Sequence, residues 1–147
     1  MIITSPDFQE GEKIPEIYTC DGNDIAPDII VDDVPDEAKS LALIMDDPDA
    51  PMHTWTHWIA WNIPPGTKKI KEGMTPEGTI EGITSAGNAG YHGPCPTEGE
   101  HRYFFRFYAL DTMLKISEES DRHKVEQAMS GHIIETSDLM GLYEKED

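Results

Sequence analysis

The stretch from Leu41 to Ile63, LALIMDDPDAPMHTWTHWIAWNI, decides the fold. Its first five residues are apolar at every position, and the run that begins at Trp58 is nearly so. Short continuous apolar runs of this kind predict strands that are covered on both faces. The segment between them, Pro48 to Thr54, carries the Asp and Pro residues typical of a turn. The stretch therefore predicts two strands that pair antiparallel across a polar connection.

Further segments with strand character recur between turn-rich stretches, which predicts an all-β dominated domain. A third core strand is expected from His101 to Leu110, with Tyr103, Phe105, Phe107 and Ala109 on one face and Arg102, Phe104, Arg106 and Tyr108 on the other. One stretch has helical character and begins near Ser117 or Ser120, either of which suits an N-cap. Its helical spacing places on one face Val125, Ala128, Met129 and His132. Leu139–Tyr143 is expected to form a last strand.

The composition limits the class of protein and its partners. The chain has 147 residues with 37% hydrophobic content, which predicts one globular domain spanning 1–147. Eleven basic residues against twenty-nine acidic ones give a formal charge of −18. Because such a field repels phosphate backbones and anionic lipid surfaces, neither nucleic acid nor a membrane is an expected partner. A small anion is still permitted, since its binding depends on the nearest donors.

The N-terminus has no basic segment followed by a long apolar one, and no apolar run approaches the ~18 residues of a membrane span. We therefore expect a cytoplasmic protein. The two cysteines, Cys20 and Cys95, allow at most one disulfide, and a reducing cytoplasm argues against it. We expect both to be small buried hydrophobic residues.

Side-chain alternation places a polar group at the end of an apolar face in each core strand. The three predicted faces are Leu41, Leu43, Met45 and Asp47; Trp55, His57, Ile59 and Trp61; and His101, Tyr103, Phe105 and Phe107. Asp47 and His57 are expected close together across the hairpin, and His101 arrives from the third strand. An aspartate beside two imidazoles raises the imidazole pKa, which suits an anion such as phosphate. Backbone N–H groups of the glycine-rich loop around Gly93 are expected to add donors.

Other interpretations of the same residues remain open. Asp47 and Asp49 are also turn formers, and His57 and His101 also suit ordinary strand ends. Asp47 with the two histidines formally supplies three zinc ligands, but no local spacing supports a metal site. Cys95 near His101 lacks the elbow of a nucleophile. We predict no metal and no cofactor.

The remaining polar residues of this region are assigned outside the pocket. His53 sits in the connection, where it either extends the site or is exposed. Structural or surface roles are expected of His92, His123 and His132. By alternation Arg102 and Arg106 face away from the pocket, which favours salt bridges.

Several motifs in order along the chain resemble the phosphatidylethanolamine-binding protein family, also called the Raf kinase inhibitor-like family, in its shorter prokaryotic form. The motifs are Tyr18-Thr19-Cys20-Asp21-Gly22, Asp47-Pro48-Asp49-Ala50-Pro51, Thr56-His57-Trp58, Gly93-Pro94-Cys95-Pro96, Gly99-Glu100-His101-Arg102-Tyr103 and Gly131-His132. The resemblance implies an antiparallel β-sandwich with one or two peripheral helices. It also implies a small pocket for phosphate-like groups, lined by Asp47, Trp55, His57, Gly93, His101 and Tyr103.

The resemblance implies a non-enzymatic binding protein for a phosphorylated small molecule or for a phosphorylated or acidic side chain of a protein partner. One alternative is an inhibitor of a protease or kinase that acts through an exposed loop such as Met74 to Asn88. A second is a weak phosphoester hydrolase that uses Asp47 and the histidines. The resemblance also makes a homodimer plausible.

Overall fold

Residues 1–145, which the computed structural model describes, form eight β-strands and one α-helix. The elements are β1 (Ile2–Thr4), β2 (Ile29–Asp32), β3 (Ser40–Asp47), β4 (Trp55–Ile63), β5 (Lys69–Ile70), β6 (Ile80–Glu81), β7 (Glu100–Leu110), α1 (Arg122–Met129) and β8 (Ile133–Glu144). One sheet has the order β1-β2-β5 and the other β6-β4-β3-β7-β8. Every pairing between these strands is antiparallel. The predicted β-dominated class is confirmed, as is the last strand, which extends beyond the predicted Leu139–Tyr143.

The five-stranded sheet separates two apolar layers. Leu41, Leu43 and Met45 of β3 face the larger layer, which lies against the three-stranded sheet. Ala42 and Ile44, on the other face, pack in a smaller layer that α1 covers. Both faces of β3 are therefore buried, which explains why its sequence shows no alternation of polar and apolar residues. None of the helices in residues 1–145 is long and apolar enough to cross a membrane.

The predicted alternation holds for β3 and β7 but not for β4. Between Met45 and Asp46 of β3, the paired strand β4 advances by two residues, so His57 is the additional residue of a β-bulge. Beyond the bulge, Ile59 and Trp61 pack in the layer under α1 rather than on the face of His57. The prediction that these three residues share a face is wrong, because one inserted residue reverses the alternation.

The helix starts later than predicted. Its N-cap is Asp121, whose carboxylate accepts the N–H of the third helical residue at 3.1 Å. Neither Ser117 nor Ser120 caps it, and Ser120 is instead buried with its carbonyl bonded to the N–H of Ile83. His132 lies beyond the last helical residue, and its ring contacts Asp111.

Candidate functional site

The ends of three neighbouring strands meet at one edge of the larger sheet. β3 lies between β4 and β7 and is antiparallel to both, so its last residues adjoin the first residues of its neighbours. Asp47 ends β3, Trp55 and His57 lie at the start of β4, and His101 and Tyr103 lie at the start of β7. The strand order alone therefore brings together residues that are distant in the chain, such as Asp47 and His101, which are 54 positions apart.

A cavity of about 420 Å³ opens at this edge. All six predicted residues line it: Asp47, Trp55, His57, Gly93, His101 and Tyr103. The predicted set leaves out the other lining residues, which are Cys20, Asp24, Ala50, Pro51, His92, Cys95, Pro96 and Thr97. Assigning His92 away from the pocket is wrong, although its place directly before Gly93 was a usable signal. Cys20 and Asp24 come from a distant loop, which no sequence spacing connects to the strands.

Asp47 binds His101 directly. The Oδ2 atom of Asp47 lies 2.7 Å from Nδ1 of His101, and the other ring nitrogen lies 3.2 Å from the carbonyl oxygen of Glu98. Both ring nitrogens of His101 thus lie next to oxygen atoms that can accept a hydrogen bond. Oδ1 of Asp47 accepts the N–H of Asp49 at 2.8 Å, so Asp47 is a turn former as well as a pocket residue.

His57 is held by a reciprocal pair of hydrogen bonds with His92. Its Nδ1 atom donates to the carbonyl oxygen of His92 at 2.6 Å, and the N–H of His92 donates to the carbonyl oxygen of His57 at 3.0 Å. Burial lowers the pKa of His57, and the opposing effects of this hydrogen bond and of Asp47 do not reverse the shift. The predicted rise in the pKa of His57 is thus wrong, because only 6% of the residue is exposed. The neutral ring leaves Nε2 without a proton.

Two buried polar atoms of the cavity lining have no hydrogen-bond partner within residues 1–145. They are the hydroxyl of Tyr103 and Nε2 of His92. Burial, followed by the charge and the proximity of the Asp47 carboxylate, raises the pKa of Tyr103, so the hydroxyl keeps its proton. Asp47 and the backbone of Cys95 lie close enough to affect this hydroxyl, but neither meets the geometry of a hydrogen bond. The ring of Tyr103 meets that of His57 edge to face, with 5.3 Å between centroids.

The backbone donor predicted at Gly93 already has a partner. Its N–H donates to Oδ1 of Asp24 at 2.7 Å. A Cβ atom at this position would lie 2.4 Å from that oxygen and 2.4 Å from the carbonyl oxygen of Tyr18. Glycine is therefore required by the close approach of residues 18–24, which we call the N-terminal loop.

Cys20 and Cys95 form a disulfide, with 5.4 Å between their Cα atoms, and both residues are exposed at the cavity. The expectation of two reduced, buried cysteines is wrong. The physical reason is tertiary: the N-terminal loop and the glycine-rich loop pack face to face, and the N–H of Cys20 donates to the carbonyl oxygen of Pro94 at 3.1 Å. A separation of 75 residues gives no sequence signal for this contact.

The outward-facing arginines form salt bridges, as predicted. Arg102 binds Asp49 through its backbone and guanidinium nitrogens, and these hydrogen bonds lower the pKa of Asp49 to about 2. Arg106 makes two hydrogen bonds to the buried Asp46. His53 is exposed and stacks on Trp55 with 6.2 Å between ring centroids, outside the set of cavity-lining residues.

Known proteins with the same fold and a similar sequence identify the family. The family model described as phosphatidylethanolamine-binding protein matches residues 4–144. The UPF0098 protein of Methanothermobacter thermautotrophicus is 48% identical over 143 residues, which cover 94% of this chain and 95% of the relative. The UPF0098 protein of Chlamydia trachomatis is 43% identical over 151 residues, with 99% and 100% covered.

Two crystal structures agree with this assignment. A phosphatidylethanolamine-binding protein homologue from Chlamydia trachomatis has a TM-score of 0.95 at 43% identity, covering 99% of this chain and 97% of its own. Escherichia coli YbcL, described as a member of the mammalian family, has a TM-score of 0.91 at 28% identity, covering 98% of each chain. The chain belongs to the phosphatidylethanolamine-binding protein family.

Proposed function

We propose that this protein is a non-enzymatic binding protein whose cavity takes a phosphate or a phosphorylated group. The observation that carries the proposal is the pair of unpartnered atoms in the cavity lining, the Tyr103 hydroxyl and Nε2 of His92. Leaving a buried polar group without a partner costs about 1–3 kcal/mol, so native proteins seldom keep one without a reason. Ligand oxygens at the cavity would accept a hydrogen bond from the Tyr103 hydroxyl, and also from Nε2 of His92 in the tautomer that carries the proton there.

The electrostatics of the cavity are compatible with an anion. The carboxylate of Asp47 lies 2.7 Å from Nδ1 of His101, and a hydrogen bond from this nitrogen offsets part of its charge. The hydroxyl of Tyr103 and a second proton on His57 would then supply donors for phosphate oxygens. A volume of about 420 Å³ suits a small headgroup rather than a long chain. The family is named after a lipid whose headgroup carries a phosphodiester, which has the required oxygens.

Binding is proposed rather than thiol catalysis because the sulfur of Cys95 is bonded to Cys20. Neither cysteine is free to act as a nucleophile. The ligand is expected to be a free phosphorylated small molecule or a phosphorylated side chain.

The proposal is tested by NMR titration of the six histidine ring signals with inorganic phosphate and with phosphorylethanolamine. We expect saturable shifts for His57, His92 and His101, and no shift for His123, which is exposed on α1. His57→Ala should weaken phosphate binding about tenfold or more, as expected when a charge-assisted hydrogen bond is lost. His123→Ala is the matched control. Equal phosphate affinities for the two variants, or no shift at millimolar ligand, would rule out the anion pocket.

The same site predicts a pH dependence with a definite sign. The folded-state pKa of His57 is lowered, so the free protein holds a neutral ring, and an anion favours the protonated one. Sulfate affinity should therefore increase as the pH falls from about 8 to about 5, and a bound anion should raise the pKa of His57. Sulfate is the probe because its own charge stays constant over this range. An affinity that is independent of pH would show that His57 does not take part.

Inhibition through the loop Met74–Asn88 is a second candidate, favoured by the exposure of Met74, which is 61% accessible. The centre of this loop is less available, since Gly82 and Ile83 donate backbone hydrogen bonds to Ile59 and Ser120. Assays against a panel of proteases and kinases separate the two functions. Inhibition that survives His57→Ala but not Met74→Ala would favour the loop.

A further inference from the structure

We propose that Asp24 is a built-in competitor of the bound anion, because its carboxylate occupies the backbone donor that the cavity would otherwise offer at Gly93. This inference rests on the proposed anion-binding function. In this role Asp24 lowers the affinity of the cavity for anions and controls their access to the N–H of Gly93.

The first support is the geometry of the contact. Oδ1 of Asp24 lies 2.7 Å from the nitrogen of Gly93, and a Cβ atom at Gly93 would lie 2.4 Å from that oxygen. Gly93 is buried, so solvent water has little access to this N–H, whereas the rest of Asp24 is exposed. A carboxylate oxygen in this position makes the charge-assisted hydrogen bond that an oxygen of a bound phosphate would make.

The second support is the backbone that presents the carboxylate. Asp24 has φ of 57°, a left-handed conformation that aspartate adopts more readily than most residues other than glycine, and its N–H donates to the carbonyl oxygen of Ile17 at 3.0 Å. The disulfide of Cys20 fixes the same loop to the loop that carries Gly93. The surrounding structure thus holds an uncommon conformation that aims one carboxylate at one N–H.

The third support is the space into which the side chain of Asp24 can move. Asp24 lines the 420 Å³ cavity and also a neighbouring one of about 240 Å³, which Trp58 and Tyr91 help to line. A phosphate that takes the N–H of Gly93 therefore displaces the carboxylate toward the second cavity or toward solvent. The displacement costs one hydrogen bond and leaves two negative charges near each other, which lowers the affinity for weak anions.

The test measures the affinity for inorganic phosphate in the full chain with its disulfide intact. Asp24→Gly removes the carboxylate and tolerates the left-handed backbone, and Asp24→Asn removes the charge but keeps an acceptor oxygen. Asp33→Gly is the matched control, because Asp33 is also exposed with φ of 55° and its substitution changes the net charge equally. We expect Asp24→Gly to bind phosphate about tenfold or more tightly than the unaltered protein, with Asp24→Asn between them and Asp33→Gly unchanged.

The outcomes separate this inference from the proposed function. If the unaltered protein binds phosphate and both Asp24 variants bind it equally or more weakly, the role of Asp24 is overturned and the anion pocket stands. Binding seen only in the Asp24 variants would support the competitor in its strongest form. If none of the proteins binds phosphate, both ideas are overturned. The chemical shift of the Gly93 amide, recorded without phosphate, must also change in Asp24→Gly, and an unchanged shift contradicts the contact.

Discussion

At the scale of single residues, the buried tyrosines Tyr103 and Tyr143 differ in whether the hydroxyl has a hydrogen-bond partner. The hydroxyl of Tyr143 donates to Oδ2 of Asp21 at 2.5 Å, whereas that of Tyr103 has no partner within residues 1–145. Both side chains belong to the large core layer and are inaccessible to solvent. The pair therefore allows a hydroxyl kept for structure to be compared with one available to a ligand.

The two Tyr→Phe variants should differ: one should lose phosphate binding but not stability, and the other should lose stability but not phosphate binding. Tyr103→Phe should leave the free energy of unfolding unchanged or raise it by up to about 1 kcal/mol, because an unpaired buried group is removed. It should also weaken phosphate binding. Tyr143→Phe should lower the free energy of unfolding by about 1–2 kcal/mol, because its hydrogen bond to the carboxylate of Asp21 is lost, and it should not affect phosphate binding. Urea denaturation and phosphate titration measure the two effects. A Tyr103→Phe variant as unstable as Tyr143→Phe would show that the Tyr103 hydroxyl is structural.

At the scale of elements, the site depends on two departures from regular structure. The bulge in β4 aims both Trp55 and His57 into the cavity while the rest of the strand continues in the opposite alternation. The second departure is the contact between the N-terminal loop and the glycine-rich loop, which the disulfide and the Asp24–Gly93 hydrogen bond join. Neither loop contains a strand or an α-helix, so their mutual contacts position one wall of the cavity.

The disulfide should therefore affect both stability and binding. In the chain-entropy model, a crosslink closing a loop of 75 residues contributes about 4 kcal/mol. Reduction should lower the melting temperature and weaken phosphate binding, since the wall formed by Cys20 and Cys95 loosens. The double variant Cys20→Ser/Cys95→Ser should reproduce both losses and should not respond to reductant. Melting temperatures that are equal with and without reductant would contradict this contribution.

At the scale of the whole molecule, the formal charge of −18 dominates the surface. Self-repulsion of this size destabilises a compact state, and it is screened as the Debye length falls from about 10 Å at 0.1 M salt to about 3 Å at 1 M. The melting temperature should therefore rise steadily between low salt and about 1 M KCl. A sorbitol series at matched osmolality is the control for effects that do not depend on charge. A melting temperature independent of salt would remove self-repulsion as a factor in stability.

The sequence by itself determined the elements whose signal is local. The uninterrupted apolar run of β3 and the aromatic alternation of β7 predicted the core strands. A strand buried on both faces is apolar at every position, and a strand buried on one face is apolar at every second position. The same alternation placed Asp47, His101 and Tyr103 at the ends of apolar faces. Ordered motifs along the chain indicated the family, which the comparisons confirm.

Only the tertiary structure decided how the cavity is completed. The bulge at His57 arises from the register between β3 and β4, and the contacts of Cys20 with Cys95 and of Asp24 with Gly93 join segments 75 and 69 residues apart. The fall in the pKa of His57 follows from burial, which outweighs the nearby carboxylate. Such features depend on packing between distant segments, and residue spacing along the chain carries no measure of distance in space or of dielectric environment.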